Sequence, residues 1–487
     1  MKNIQYIAIG LVIIVTSCTE SNQTNFEKYF SAGSLRIDYN HTGNATSETV
    51  EIDEIYRYNK WAGSLNNLID ELNYGAYYHK IFDKASGELI YSKGFDSYFK
   101  EYQVSSPAIE GISKQFHETA IIPTPKSDFI FTLEKRDAAG KLNEVFRTVV
   151  DPSKAIDQVE DSEVQVFTSL DNGDPNLKAD IAIIGEGYSS DEVEKFKKDL
   201  ARFTETFFKA EPCKSNKDKF NIRGVLKPSE DSGIDEPRAG IDKNTSVGAT
   251  FNSMGSERYV LTEENKALRD IAGHVPYDAL YIMVNHSRYG GGGIYNFYCV
   301  FTSDNIFSDY LMVHEFGHSF FGLADEYYTS STAYNDFYTV ENEPNEANIT
   351  ALKDPKNIKW KHLLSEGIEV PTQWKKAEYD SLDLLWQKTR TLLNDSIATL
   401  QRNGASAEAI RNAKALYDLK DSERNKEVQK YLEESGYSGQ VGAFEGAGYV
   451  SKGLYRPSIN CIMFTKTDYF CPVCQEAMVK VISSYSN

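Results

Sequence analysis

The chain has 487 residues, of which 41% are hydrophobic, 25% charged and 13% aromatic, a composition too apolar for a disordered protein and too polar for one with many membrane spans. Its 52 Lys and Arg residues against 71 Asp and Glu residues give a net charge of −19, which repels phosphate backbones and argues against nucleic-acid binding. A hydrophobic core stops growing near about 250 to 300 residues, so the length predicts two domains.

The first 25 residues indicate export. Lys2 precedes an apolar run over 7–15 that is too short to cross about 30 Å of hydrocarbon. The run ends in Val15-Thr16-Ser17-Cys18, which resembles a bacterial lipobox. We expect a signal peptide over 1–18, a lipid on Cys18, a polar tether over 19–25, and a lipoprotein of the outer membrane of a Gram-negative bacterium. The alternative is ordinary secretion with an incidental cysteine.

Residues 26–150 have the pattern of β-hairpins. Short runs rich in Tyr, Phe, Ile and Val are separated by turns such as Asp137-Ala138-Ala139-Gly140. Segments 129–133 and 145–150 form one predicted pair of strands. We expect an all-β immunoglobulin-like sandwich here, followed by an acidic linker over 151–176.

The remainder, 177–487, is predicted to be a mixed α/β domain. An apolar run over 180–184 precedes Ser189 and Glu192, which have the spacing of a capping box. A helix should begin there, because apolar residues then recur at steps of three and four up to Pro212. Segments 220–226 and 279–285 are further predicted strands.

A charged stretch over 373–436 is predicted to be an inserted helical hairpin, with a break at Asn403-Gly404. One side of its first helix is apolar. We interpret that stripe as core packing, with partner binding as the alternative. Its members are Leu385, Leu392, Leu393, Ile397 and Leu400.

The segment from Asp309 to Glu326 carries the strongest chemical signal. Positions i and i+4 lie on one face of a helix, so His314 and His318 can both present a ring nitrogen to one zinc ion. Glu315 lies beside them, placed to hold a water molecule at the metal and act as general base. Apolar neighbours make this helix buried, and two unpaired buried histidines would be costly to desolvate.

Catalytic zinc needs a third protein ligand and an open fourth position. Gly322 can turn the chain back sharply after the helix, because glycine adopts a left-handed conformation without penalty. Asp325, three residues later, would then face the histidines and complete the metal site. Glu326 is the rival ligand, and His286 is a conceivable fourth one.

The cysteines have a structural interpretation. Cys471-x-x-Cys474 lacks the second pair of a zinc ribbon, and an exported protein meets oxidants. We therefore expect a disulfide between Cys461 and either Cys471 or Cys474. The glycines at 290–293 are either a flexible turn or an edge segment that pairs with an extended substrate.

Taken together, these motifs resemble the IgA-peptidase family of zinc metallopeptidases, which are relatives of the metzincins. The resemblance covers most of 180–478 and implies a metzincin-like catalytic domain. It also implies that Met463 forms the methionine turn below the metal, while Thr465 stands where some metzincins have an oxyanion-stabilising tyrosine. The segments that carry the resemblance are 180–207, 289–295, 314–326, 444–449 and 455–463.

The expected function is that of a zinc endopeptidase acting on extracellular proteins, with immunoglobulin A or another host glycoprotein as the substrate that the resemblance suggests. One alternative is a cell-surface adhesin or glycan-binding lipoprotein whose zinc is structural. A third is a zinc amidase acting on cell-wall peptide. The partners expected are a protein or peptide substrate and the membrane, through the lipid anchor.

Overall fold

The computed structural model describes residues 26–329 and 337–486. Cys18, the signal peptide and the tether therefore lie outside the described residues. In the part of the chain that is described, no helix is both long and apolar enough to span a bilayer.

The N-terminal region is rich in β-structure. Its two four-stranded sheets have the orders β5-β1-β2-β8 and β4-β3-β6-β7, and they enclose a common apolar core. The elements are α1 (Phe26–Tyr29), β1 (Phe30–Gly43), β2 (Glu48–Tyr58), β3 (Tyr77–Asp83), β4 (Leu89–Phe95), α2 (Tyr98–Gln103), α3 (Ser106–Ile109), β5 (Lys114–Pro125), β6 (Phe129–Arg136), β7 (Leu142–Val150) and β8 (Ile156–Asp157).

The strand pairing in this region agrees with the sequence in part. Strands β6 and β7 are antiparallel, with Phe129 opposite Val150, which confirms the predicted pair. The order of the other sheet differs from that of an immunoglobulin domain, where the second strand lies between the first and a later one. Here β1 is central, between β2 and β5.

The second region is built on a six-stranded sheet of order β13-β14-β12-β10-β11-β9. The four inner strands are parallel and the two edge strands are antiparallel to them. The elements up to the end of this sheet region are β9 (Gln165–Leu170), β10 (Ala179–Glu186), α4 (Val193–Phe207), β11 (Phe220–Leu226), α5 (Asn265–Ala272), β12 (Ala279–Val284), β13 (Gly291–Ile294), β14 (Tyr298–Thr302) and α6 (Ser308–Ser319).

Both faces of this sheet are covered, which is why every residue of β10 and β12 is buried and most of them are apolar. Ile181 and Ile183 face a core that contains α4, α6 and the C-terminal helix. Ala182 and Ile184 face a second core that contains α5 and side chains of α2. The capping box of Ser189 and Glu192 forms before α4 as predicted.

The predicted linker is more ordered than its composition indicates. It contains β8, which pairs with β2, and β9, which is an edge strand of the six-stranded sheet. The side chains of β9 are polar or only partly buried, as is typical of an edge strand, and acidic residues lie in the segments around it, so the stretch has the composition of a linker. The N-terminal region also contacts the second region directly, since Arg36 forms an ion pair with Asp270.

The rest of the chain contributes helices and a two-stranded sheet. Two helices of 27 residues each, α7 and α8, contact each other through Arg424 and Asp383. The predicted apolar stripe is buried only in part, because Ile397 is 9% exposed whereas Leu385 and Leu392 are 67% and 71% exposed. The remaining elements are α7 (Lys376–Arg402), α8 (Ala407–Glu433), β15 (Val441–Ala447), β16 (Val450–Ser458) and α9 (Pro472–Ser486).

Candidate metal centre

Helix α6 presents two imidazoles on one face. His314 and His318 lie one turn apart, and their Nε2 atoms are 3.2 Å from each other. The opposite face of α6 is fixed in the core, where the fully buried Phe316 stacks on Tyr281 of β12. The helix is therefore held with both imidazoles directed away from the sheet core.

The chain reverses directly after α6. Gly322 has a φ of 64°, the left-handed conformation that glycine adopts without strain, and its N–H donates to the His318 carbonyl at 3.0 Å. The reversal brings Asp325 back to the helix. Its Oδ1 lies 3.1 Å from Nε2 of His314 and 3.2 Å from Nε2 of His318.

The other ring nitrogens are occupied by backbone carbonyls. Nδ1 of His314 donates to the Ile462 carbonyl at 3.0 Å, and Nδ1 of His318 donates to the Leu323 carbonyl at 2.6 Å. Such contacts fix the tautomer and the ring orientation of a metal-binding histidine. Nε2 of each ring is therefore the nitrogen that faces the point between the two histidines.

Asp325 is held from its far side. The Tyr449 hydroxyl, on the turn between β15 and β16, donates to Oδ2 of Asp325. Among the described residues, Oδ1 is buried and makes no hydrogen bond. An oxygen left in this state costs free energy unless a cation faces it.

Three ligand atoms thus form a triangle with sides of 3.1, 3.2 and 3.2 Å. Bonds of about 2.0 to 2.1 Å at tetrahedral angles separate ligand atoms by about 3.3 Å. The geometry of His314, His318 and Asp325 therefore fits a tetrahedral metal ion with one open position.

The electrostatics of the triangle also favour a cation. Burial disfavours charge on His318, but the Asp325 carboxylate outweighs it and raises the pKa of His318 to about 9. Burial likewise disfavours charge on Asp325, yet the two imidazoles hold its pKa well below the usual range. Positive charge on the imidazoles is thus stabilised by the Asp325 carboxylate, and the negative charge of that carboxylate is stabilised by the imidazoles.

Glu315 lies at the edge of the same cluster, with a carboxylate oxygen within 4.8 Å of ring nitrogens of both histidines. Burial raises the pKa of Glu315. Strand β13 approaches closely here, since a Cβ on Gly291 would lie 3.0 Å from Oε1 of Glu315, and one on Gly293 would lie 2.5 Å from the Glu315 carbonyl oxygen. Only glycines allow the strand to pass so near the helix.

The cluster opens into a cavity of about 270 Å³. One wall is β13, an edge strand of the six-stranded sheet. The glycine segment therefore lies at the edge of this sheet, beside the cavity. The N-terminal region contributes Tyr74 and Lys100, and the helices α7 and α8 contribute Asp383 and Arg424. The cavity is therefore bounded by both regions of the molecule.

Met463 lies beneath α6. A Cβ atom on Gly317 would come within 2.6 Å of the Sδ atom of Met463. The thioether therefore packs directly against α6 at Gly317, which lies between His314 and His318 in the sequence. Thr465 borders the cavity, and its hydroxyl donates to Oδ1 of Asn460 at 2.5 Å.

Other candidate residues do not join the metal cluster. Oε1 of Glu326 lies 3.4 Å from Sγ of Cys474, away from the imidazoles. Nε2 of His286 lies 3.3 Å from a Glu236 carboxylate oxygen. The structure therefore brings Asp325, and not its neighbour, to the histidines.

The predicted disulfide is not formed. Cys461, Cys471 and Cys474 are free thiols in the structure, and the sulfurs of Cys461 and Cys474 are 3.8 Å apart. A disulfide bond requires about 2.05 Å between sulfurs. The three sulfurs converge with a carboxylate into one cluster and do not form a pair.

Several residues of the site were missed from the sequence. The Tyr310 hydroxyl oxygen lies 3.1 Å from Nδ1 of His314, and its position four residues earlier on the same helix was an available signal. Tyr449 and the wall formed by α7 and α8 carry no local signal, because they reach the cavity from distant parts of the chain.

Two family models match the chain. Residues 168–482 match the family model described as IgA Peptidase M64. The chain belongs to this family. Residues 25–147 match the model described as Peptidase M64 N-terminus. The M64 match covers the large sheet, α6 and the C-terminal elements, so the metal cluster lies within it.

Membership of the M64 family makes the chain a peptidase by family, with protein or peptide as the substrate class. Two groups of residues in the described part of this M64 chain have metal-binding composition and geometry, and one of them is on α6. No curated protein matches the chain.

Proposed function

We propose that this M64 chain is a zinc-dependent endopeptidase of extracellular proteins. The observation that carries the proposal is the triangle of His314, His318 and Asp325, with sides of 3.1 to 3.2 Å, which faces a cavity. Imidazole and carboxylate are usual zinc ligands, and three protein ligands with one open position are typical of catalytic zinc.

When bound, zinc supplies Lewis acidity, which lowers the pKa of water and polarises a carbonyl group. Glu315 then acts as general base: its carboxylate takes a proton from the attacking water and returns it to the departing amine. Burial strengthens that role, because it raises the pKa of Glu315 and so makes its carboxylate a stronger base.

Strand β13 aligns the substrate in this proposal. It is the outermost strand of the sheet, beside the cavity. The backbone of Gly291 already pairs with Arg258 and Val260, so an extended peptide would add to the edge beyond Gly291 through backbone hydrogen bonds. The glycines at 291–293 permit close approach to α6 and to the substrate backbone. Their close passage to Glu315 places a bound peptide bond near the base.

The metzincin-like arrangement belongs to the same proposal. Met463 serves as the apolar floor below the metal, and Asp325 takes the place of the last histidine of the metzincin pattern. Helices α7 and α8 are a hairpin inserted into the peptidase domain, which begins near residue 177 and follows the N-terminal β-rich domain. Their contribution is one wall of the substrate cleft.

We also propose that the protein is exported and lipid-anchored through Cys18 to the outer membrane of a Gram-negative bacterium. The support is the sequence of the first 18 residues. Such an anchor places the peptidase where it meets host proteins, among them immunoglobulin A.

The deciding experiment incubates the purified mature chain with a panel of immunoglobulins and host glycoproteins, with and without a zinc chelator, and detects cleavage on gels. Chelator-sensitive products from the wild type, and none from Glu315→Gln, are expected. Products that persist in the chelator would refute zinc dependence. A panel left intact, with cell-wall peptide cleaved instead, would favour the amidase.

A further inference from the structure

A second cluster of ligand atoms lies behind the first. It consists of the thiols of Cys461, Cys471 and Cys474 and the carboxylate of Glu326, whose ligand atoms all lie within 4.8 Å of one another. All four side chains are at most 1% exposed. They come from three separate places: the loop after α6, the segment after β16, and the start of α9.

Two distances between ligand atoms of this cluster match those of a tetrahedral thiolate site. The sulfurs of Cys461 and Cys474 are 3.8 Å apart, and Oε1 of Glu326 is 3.4 Å from Sγ of Cys474. Zinc bonds of about 2.3 Å to sulfur and 2.0 to 2.2 Å to oxygen, at tetrahedral angles, separate two sulfurs by about 3.8 Å and a sulfur from an oxygen by about 3.5 Å.

Two of the three sulfurs accept backbone hydrogen bonds. The backbone N–H of Cys471 donates to Sγ of Cys461 at 3.3 Å, and the N–H of Cys474 donates to Sγ of Cys471 at 3.5 Å. Helix α9 begins at Pro472, so its positive end faces the thiols and favours thiolates. Hydrogen bonds of this kind support metal ligands from the second layer.

One carboxylate oxygen of Glu326 has no hydrogen-bond partner among the described residues. The other, Oε1, accepts a hydrogen bond from Nδ2 of Asn348 at 3.1 Å and lies 3.4 Å from Sγ of Cys474. Oε2 of Glu326 is buried and, among the described residues, makes no hydrogen bond. A carboxylate inside an apolar core is costly without a cation, and the cluster lies in the largest core, beside Met463.

We propose that Cys461, Cys471, Cys474 and Glu326 bind a second, structural zinc ion. Three sulfurs and one oxygen complete the tetrahedron, so this site is closed and holds no substrate. Soft thiolate ligands in a tetrahedral arrangement select zinc over calcium, magnesium and manganese. The site uses no residue of the catalytic triangle, so it does not depend on the proposed activity.

The second ion would brace the catalytic site from below. Glu326 follows Asp325 directly, and its backbone N–H donates to the Met463 carbonyl at 2.8 Å. Cys461 precedes Ile462, whose carbonyl orients His314. One ion therefore fixes the positions of Asp325 and of the segment that contains Met463, and it links both to α9.

The test measures zinc in the purified mature chain by mass spectrometry and the zinc ligands by X-ray absorption. Two zinc ions per chain are expected, with sulfur among the ligands. A Cys471→Ser/Cys474→Ser variant should keep one ion and lose the sulfur signal. His314→Ala/His318→Ala should keep one ion and retain the sulfur signal. Cys213→Ala, at a buried cysteine outside both clusters, should keep two.

The outcomes separate the two proposals. A single zinc ion in the wild type, with nitrogen and oxygen ligands alone, would overturn the second site and leave the peptidase proposal standing. A single ion with sulfur ligands would do the reverse. Thiol titration of the unfolded wild type should find Cys461, Cys471 and Cys474 reduced, and a disulfide among them would also overturn the second site. Because these two measurements use the wild type, misfolding of a variant does not affect them.

Discussion

Two ligand clusters meet at a single peptide bond, between Asp325 and Glu326, and they differ in chemistry and in access. The first has two imidazoles and a carboxylate and opens into a cavity of about 270 Å³. The second has three thiols and a carboxylate and is enclosed by the apolar core. The two neighbouring carboxylates lie in a non-helical segment and serve opposite sides of it.

In the two proposals, one short segment serves both reactivity and rigidity. An open position is needed for chemistry, whereas a closed set of four ligands adds to folding free energy. The open cluster lies at a cavity that is bordered by the N-terminal region, by the region of the six-stranded sheet, and by helices α7 and α8. The closed cluster lies where α9, the segment that contains Met463 and the loop after α6 converge. This convergence fixes the backbone that carries the ligands of the open cluster.

The largest effect should come from exchanging the two carboxylates for amides one at a time. Asp325→Asn should abolish chelator-sensitive cleavage and release the ion bound by nitrogen and oxygen, because a neutral amide is a poor zinc ligand. Glu326→Gln should release the sulfur-bound ion instead. Metal analysis and cleavage assays on both variants check this. Loss of the same ion from both variants would refute the proposal that the two carboxylates bind different ions.

Glu315→Gln should lower the cleavage rate at least about 10²-fold, because it removes the general base. Both metal ions and the thermal stability should remain as in the wild type, since Glu315 is no ligand in this scheme. Glu194→Gln, an exposed change on α4, is the control for a lost carboxylate. Turnover close to the wild-type rate in Glu315→Gln would refute the role assigned to Glu315.

Tyr449→Phe should weaken metal binding at the open cluster by about 10- to 100-fold, because it removes the hydrogen bond to Oδ2 of Asp325. The sulfur-bound ion should be unaffected. Competition with a graded series of chelators measures both affinities in one protein. An equal loss of affinity for the two ions would show that Tyr449 stabilises the fold as a whole and not the open cluster.

The smallest effect should come from Met463→Leu, at the layer between the clusters. The two side chains have similar volume, so the free energy of unfolding should fall by less than about 1.5 kcal/mol. Metal content should not change. Urea denaturation checks this, with Met478→Leu on α9, another buried methionine of the same core, as the matched control. A cost of several kcal/mol specific to Met463 would show that the thioether does more than fill space.

Local patterns determined a large part of this protein. The segments 180–184, 220–226 and 279–285 formed strands as predicted, because short, mainly apolar segments suit strands that are buried on both faces. The spacing of His314 and His318 placed both imidazoles on one helix face, and Gly322 turned the chain back toward them. These features depend on the period of the helix and on backbone sterics, which act within a few residues.

Only the tertiary structure decided between Asp325 and Glu326, between a disulfide and a cluster of thiols, and between a buried and an exposed face of α7. Glu326 turns away because Cys461 and Cys474 lie behind it, more than 130 residues later in the chain. Leu385 is exposed because α7 directs Asp383 and Arg390 toward the cavity instead. Each of these outcomes depends on contacts between distant segments, and local periodicity holds no information about them.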